Sequence, residues 1–451
     1  MANHIIIKKK IISFKKKICV SGDKSISIRW VLFASIASGI SKVKNLLISE
    51  DVMAAIDIIR KFGIRVLKRK DFFIIFGKGI DGYIYKKNTV INAGNSATLG
   101  RLILGLIINS TNTVKLIGDK SLSKRDFKRV TSPLSKFGAK FKLRKNFSLP
   151  LTIQGLKNLK PIKYFEKRGS AQCKSAVILA AMRANGTTYI KAKKSRDHTE
   201  RMMKNLKLPI RIYKRRNHDL IQVKKVKKIR AINYNIPSDI SSSAFFLVLT
   251  ALSNNSELTI KSVNINSSRT GIITILKKMG VNIIFQNKKI YRGEEIADIK
   301  IKSCKLIKPI NCPVSLNARA IDEFLVIFLV AARANGVSYF KGLSELNKKE
   351  SPRLKWGSKI LSKMGVKNFT TKNSIKIFGN PALKVDKKII INNYLNDHRV
   401  FMTSVVAALS FGGLWKIHNS KSIKTSFPDF LKIINQLKKN EKETKYNQNS
   451  N

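Results

Sequence analysis

Carboxylates are scarce in this chain. Its 451 residues hold 26 Asp plus Glu against 89 Lys plus Arg, a formal net charge of +63. Such an imbalance fits a nucleic-acid binder that neutralises phosphates. It also fits an enzyme whose composition is skewed towards Lys, Ile and Asn. The distribution favours the enzyme: the lysines run along the whole chain, form no single stripe or tail, and accompany no nucleic-acid motif. The charge still raises the local concentration of small anions.

Cysteine is scarce as well. Cys19, Cys173, Cys304 and Cys312 form no CxxC pair, so neither zinc nor a redox pair is indicated, and free thiols in a reducing cytoplasm are expected. The five histidines form no HExxH and no cluster, so no metal site is expected. No apolar run approaches the roughly 18 residues that span a bilayer. The opening "MANHIIIKKKIISFKKK" alternates apolar and basic residues and reads as a strand, not as a signal peptide. Lys24-Ser25 has only Gly22 upstream, which excludes the GxxxxGK[ST] nucleotide loop, and no GxGxxG follows a strand.

What the chain has is one unit repeated six times. Six runs are apolar almost all round: "RWVLFASIAS", "RLILGLIIN", "SAVILAAMRA", "SAFFLVLTALS", "FLVIFLVAARA" and "VFMTSVVAALS". Helices of that kind are buried on every side. Each is followed by a short polar turn, a strand-like segment and, in most copies, an amphipathic helix that often ends in Phe-Gly or Met-Gly. The period is roughly 70–80 residues. Six copies suggest three per domain, with a hinge in "NYNIPSDISSS" at Pro237. The expected domains are 21–236 and 237–437; the strand in residues 1–20 could pair with either half and is grouped with 237–437, giving 1–20 with 237–437. Residues 438–451 are expected to be a polar, frayed tail.

Polar residues gather where the buried helices begin. Ser, Asn and Asp there are ordinary N-caps. The cations are not, because Lys24, Arg29, Arg101, Lys174 and Arg399 oppose the helix dipole by roughly 0.3–1 kcal/mol each. Their placement makes sense if anions lie at those ends, where backbone N–H groups, dipole and cations converge. Further cations come from "GDKSLSKRDFKRV", from "SRDHTERM", with an expected Asp197–Glu200 capping box, and from "NKKESPRLKWG", with Ser351 expected as N-cap and Pro352 as first helical residue.

Together "SGDKSISIR", "GNSATLGRL", "GDKSLSKRDFKRV", "GSAQCKSAVILA", "SRDHTERM", "IPSDISSSAFFL", "IDEF", "KKESPRL", "DHRVFM" and "TSFPDF" resemble, in order, the EPSP synthase family of enolpyruvyl transferases. The GSAQ and SLSKR variants resemble its second, glyphosate-tolerant class. The resemblance covers roughly residues 15–435. It implies two similar α/β domains, each of three βαβαββ repeats around buried parallel helices (an inside-out α/β barrel), with a ligand cleft between them. It implies enolpyruvyl transfer from phosphoenolpyruvate to shikimate 3-phosphate in aromatic amino-acid biosynthesis, by a cytoplasmic monomer with no cofactor, no specific nucleic-acid partner and no membrane.

Carried over motif by motif, Lys24, Ser25, Arg29, Ser170, Ala171, Gln172, Arg196, Asp322 and Lys349 would hold shikimate 3-phosphate. Lys24, Ala97, Arg125, Gln172, Arg353 and Arg399 would hold phosphoenolpyruvate. Asp322 would be the general base, with Glu350 and Lys24 moving protons. The sequence departs from the family at Ile28, where a polar residue is usual, at Pro352 in place of Asp, and at Thr425, where one branch has Lys. Two other readings carry less of the pattern: the related transferase acting on UDP-N-acetylglucosamine, whose first motif pairs Lys with Asn, and a basic nucleic-acid-binding protein.

Overall fold

The computed structural model describes residues 3–438, so the expected tail lies outside the described residues except for Lys438, which ends the last helix. The chain divides into two compact units. One takes the N-terminal residues to Ser21, Pro237–Lys289 and the chain from Glu295 onward; the other takes Gly22–Ile236 with Ile290–Glu294. Each has its own hydrophobic core.

In the second unit the buried helices are Lys24–Ser35, Ala97–Leu106 and Ala171–Ala181. In the first they are Ile240–Leu252, Phe324–Ala332 and His398–Phe411, every residue of which is buried. Their all-round apolar surfaces have no other place to go. The helices pack on one another closely enough to require glycine. A Cβ on Gly105 would sit well inside contact distance of the Ala176 carbonyl on the neighbouring helix.

Among the described residues six sheets accompany these helices. The second and third repeats are complete βαβαββ units. Thr89–Asn92 pairs in parallel with Val114–Ile117, and Leu151–Gln154 and Lys140–Lys142 continue antiparallel. Lys163–Glu166, Thr187–Lys193, His218–Lys224 and Ile210–Lys214 repeat that order. The first repeat borrows its leading strand, Tyr234–Asn235, from the end of the same unit. The first unit closes in the same manner. Lys15–Ile18 pairs with Glu257–Asn264, and His4–Ile7 pairs with Leu414–His418. The opening basic-apolar segment thus supplies two strands, both within that unit.

The Phe-Gly and Met-Gly endings have a common geometry. At Phe62-Gly63, Met279-Gly280 and Met364-Gly365 the glycine takes positive φ (81°, 91° and 84°). Its N–H bonds three residues back, and the next N–H bonds five residues back. This is the Schellman termination, which needs a residue without Cβ penalty at that position.

Candidate functional site

The second unit gathers its polar helix starts at three points. Asp23 caps the first buried helix, its carboxylate accepting from the Ile26 N–H at 2.9 Å. Lys24 opens that helix, and its Nζ lies 3.0 Å from Asp51 Oδ2. Arg29 turns inward and is nearly fully buried. It donates to Thr199 Oγ1 at 2.7 Å, to Ser175 Oγ at 3.1 Å and to the Ser25 carbonyl at 2.9 Å. Arg29 therefore ties the Lys24-Ser25 turn to the helix that begins at Ala171. Beside it the buried Lys174 Nζ meets Glu200 Oε1 at 2.6 Å.

Ser170 caps the third helix by accepting from Cys173 N–H. Gln172 reaches across to the second helix: its Nε2 donates to Thr98 Oγ1 at 3.0 Å, and its Oε1 accepts from Arg101. Ala171 opens its helix, as Ala97 opens the second one behind the Ser96 cap. Burial pushes the Arg101 pKa down; the neighbouring thiol of Cys173 acts against that, while the charges of Arg125 and Arg129 add to it. Arg125 and Arg129 thus stand near enough to bear on Arg101, which holds Gln172, and Asp126 pairs with Arg129 at 3.4 Å. That surplus of positive charge suits an anionic ligand. Arg196 sits half-buried on the turn before helix His198–Asn205.

The first unit holds a tighter cluster. Asp322 stands just before the fifth buried helix, with its side chain 14% exposed. Its Oδ1 lies 3.2 Å from both Lys349 Nζ and Arg353 Nη1. Arg353 also pairs with Glu350 and forks onto Asp397, at 2.9 Å from Nε and 3.2 Å from Nη2. Asp397 is fully buried and caps the sixth helix through Arg399 N–H. Arg399 Nη1 donates to the Asp322 carbonyl at 2.6 Å. Burial works against the charge on Arg353, but Asp397, Glu350 and Asp322 outweigh it and raise its pKa. Burial likewise opposes ionisation of Asp397, and Arg353 outweighs that, leaving its carboxyl below the ordinary range.

Two local expectations fail. Pro352, not Ser351, is the cap residue before helix Arg353–Lys363, because the Ser351 hydroxyl is drawn to Asp397 Oδ2 at 2.9 Å. Asp197 makes no capping bond; its carboxylate accepts from Arg201 Nε at 3.0 Å, and Glu200 is held by Lys174. The departures also find places. Ile28 is core, fully buried. Thr425 Oγ1 lies 3.3 Å from His398 Nδ1.

Sequence reasoning did not assign Asp51, Ser175, Thr199, Arg129 or Asp397 to the site. Asp397 had a signal, since an acid at a buried helix start must find a cation. For Asp51, Ser175 and Thr199 there was none, because their partners are over twenty residues away in the chain.

Solved structures similar to this chain include enolpyruvyl transferases. The enolpyruvyl transferase NikO from Streptomyces tendae matches at TM-score 0.74 and 13% identity, over 97% of this chain and 98% of that one. That likeness speaks for the fold alone. An EPSP synthase structure from Acinetobacter baumannii matches at TM-score 0.84 and 34% identity, over 96% and 97%. The 3-phosphoshikimate 1-carboxyvinyltransferase of Vesicomyosocius okutanii subsp. Calyptogena okutanii is 38% identical over 93% of this chain and 94% of its own length. The sequence profile of EPSP synthase (3-phosphoshikimate 1-carboxyvinyltransferase) matches residues 8–434. The chain belongs to the EPSP synthase family.

Among the described residues no group of three or more His, Cys, Asp or Glu is placed to hold a metal ion. No helix among them is long and apolar enough to cross a membrane.

Proposed function

We propose that this chain is a 3-phosphoshikimate 1-carboxyvinyltransferase. It transfers the enolpyruvyl group of phosphoenolpyruvate to the 5-hydroxyl of shikimate 3-phosphate and releases phosphate, in the shikimate pathway. The observation that carries this reading is the family match over residues 8–434. The Asp322–Lys349–Glu350–Arg353 cluster supports it from the side of chemistry.

A secondary alcohol is a weak nucleophile and needs a base in hydrogen-bond reach, the role we assign to Asp322. The methylene carbon of phosphoenolpyruvate takes a proton from Glu350 or Lys24, which makes the adjacent carbon electrophilic. The 5-oxygen bonds to that carbon as its proton passes to Asp322. The tetrahedral adduct then returns a methyl proton to the group that supplied it, Glu350 or Lys24, as its phosphate C–O bond breaks, restoring the double bond. Lys24, Arg125 and Arg399 neutralise the departing phosphate. Ser25, Ser170, Ala171, Gln172, Arg196 and Lys349 hold shikimate 3-phosphate. Arg29 serves that group by fixing the Ser25 carbonyl. Ala97, Gln172 and Arg353 complete the phosphoenolpyruvate site. Two anions must meet against their repulsion, and fixed cations with helix N-termini supply the positioning.

We further propose that the enzyme works as a cytoplasmic monomer, which sedimentation would check. The deciding assay is phosphate release. It should require phosphoenolpyruvate and shikimate 3-phosphate together. Release with UDP-N-acetylglucosamine in place of shikimate 3-phosphate, or none with either, would overturn the reading.

A further inference from the structure

The third sheet of the second unit has an outer face that the transferase chemistry does not use. Its inner face closes the core with Ile190, Ala192, Ile221 and Val223. The register lays the outer face out in rows across four strands. Lys163, Tyr189, Gln222 and Arg211 align; so do Phe165, Lys191, Leu220 and Tyr213. Lys193, His218 and Arg215 form the next row. These rows contain five cations and no carboxylate. Glu166 and Asp219 fall in the opposite register, level with Ala192 on the neighbouring strand.

Three rings stand open on this face: Phe165, Tyr189 and Tyr213 are 47%, 46% and 44% exposed. A shallow groove of about 530 Å³ runs over them. Lys191 and Lys167 hang over the Phe165 ring at 5.1 and 5.6 Å. The first unit also has an exposed ring on a sheet, but there Phe369 meets the half-buried Phe378 edge to face, at 5.6 Å. Among the described residues none of the three rings here packs against another ring.

Exposed rings set among cations, with no acid in the rows, fit a polyanion that carries its own flat rings. We propose that this face binds single-stranded nucleic acid without sequence preference, bases stacking on Phe165, Tyr189 and Tyr213 and phosphates lying on the lysines and arginines. Strand geometry puts Phe165 and Tyr189 roughly 8 Å apart and Tyr189 and Tyr213 roughly 12 Å apart, distances that an unstacked strand crosses in a few nucleotides. A duplex hides its base faces and should bind only through charge.

The test is fluorescence anisotropy on the full chain at roughly 0.15 M salt. The probes are a labelled oligothymidine, a duplex of equal length and vesicles rich in phosphatidylserine. Combining Phe165→Ala, Tyr189→Ala and Tyr213→Ala keeps every charge. It should weaken oligothymidine binding about fivefold or more per engaged ring, while duplex binding and phosphate release stay as in the parent. Combining Lys163→Gln, Lys191→Gln and Lys193→Gln should lower the slope of log K against log salt by about 2; if the ring variant fails to fold, this variant carries the test alone. Parent-like affinity in the ring variant, or an unchanged slope in the glutamine variant, would overturn the proposal and attribute binding to the chain's diffuse charge. Ring-dependent binding to vesicles but not to oligothymidine would also overturn it, in favour of a membrane surface.

Discussion

Replacing Asp322 by Asn separates chemistry from architecture. The amide keeps the shape of the carboxylate and one acceptor oxygen but cannot take a proton at neutral pH. Lost general-base catalysis costs about 10²–10⁴ in rate, or roughly 3–5 kcal/mol of transition-state stabilisation. The structural cost is smaller. Arg353 loses one of three carboxylates and keeps its fork onto Asp397 and its pair with Glu350. Lys349 loses a carboxylate at 3.2 Å from a side chain that is itself partly exposed. A hydrogen bond to a charged group is worth roughly 1.5–3 kcal/mol, and because these are partly solvated the loss should fall at the low end. The variant should therefore fold, melt only a few degrees lower, and bind shikimate 3-phosphate within about tenfold of the parent.

Steady-state phosphate release gives kcat, and calorimetric titration with shikimate 3-phosphate gives affinity. The expected pattern is kcat down by at least about 10² with affinity nearly kept. A kcat close to the parent's would refute the base assignment. Collapse of both kcat and melting temperature would mean that Asp322 serves mainly to hold Arg353, and a parallel Asp397→Asn measurement would then show the same collapse.

Asp397→Asn itself should cost about 3–5 kcal/mol, since it removes one partner of a buried pair. The depressed pKa of Asp397 contributes stability above the ordinary aspartate value of about 3.9, and this is lost as pH falls through the folded-state pKa; the melting gap between parent and variant should therefore close in acid, and a gap that widens would contradict the sign. Ala97→Gly removes a Cβ at the start of the second buried helix; if that methyl narrows the phosphoenolpyruvate site, glyphosate should inhibit the variant about 5- to 150-fold more strongly, and equal inhibition constants would show that Ala97 does not face it. Gly105→Ala should destabilise by at least about 1–3 kcal/mol, because the new methyl meets the Ala176 carbonyl rather than a movable side chain; an unchanged melting curve would mean that the two helices can separate freely.

The repeated unit was legible because burial on all sides leaves its mark on every residue of a helix. "SAFFLVLTALS" and "FLVIFLVAARA" need no partner in view to be read as core, and both are core. The Phe-Gly and Met-Gly endings were visible as a motif, and their Schellman bonds explain why the glycine recurs. Closure was not legible. Tyr234–Asn235 is two residues long, and nothing in "YN" says that it pairs with Val43–Lys44 almost two hundred residues earlier. The same holds for His4–Ile7, whose partner lies at the far end of the chain.

The site divides along the same line. Cations at helix starts announced themselves because each one works against the dipole of its own helix. What relieves them did not, because it stands on another helix well along the chain: Asp51 for Lys24, Thr199 and Ser175 for Arg29. The two capping errors have this cause as well. Ser351 and Asp197 carry side chains suited to capping, and local reasoning assigned them to the nearest N–H groups. Each instead has a stronger claimant, the carboxylate of Asp397 and the guanidinium of Arg201. A charge-assisted bond is roughly twice as strong as a neutral one. Among so many uncompensated cations the few carboxylates are the sought-after partners, so a polar side chain near one is drawn to it before it serves the backbone.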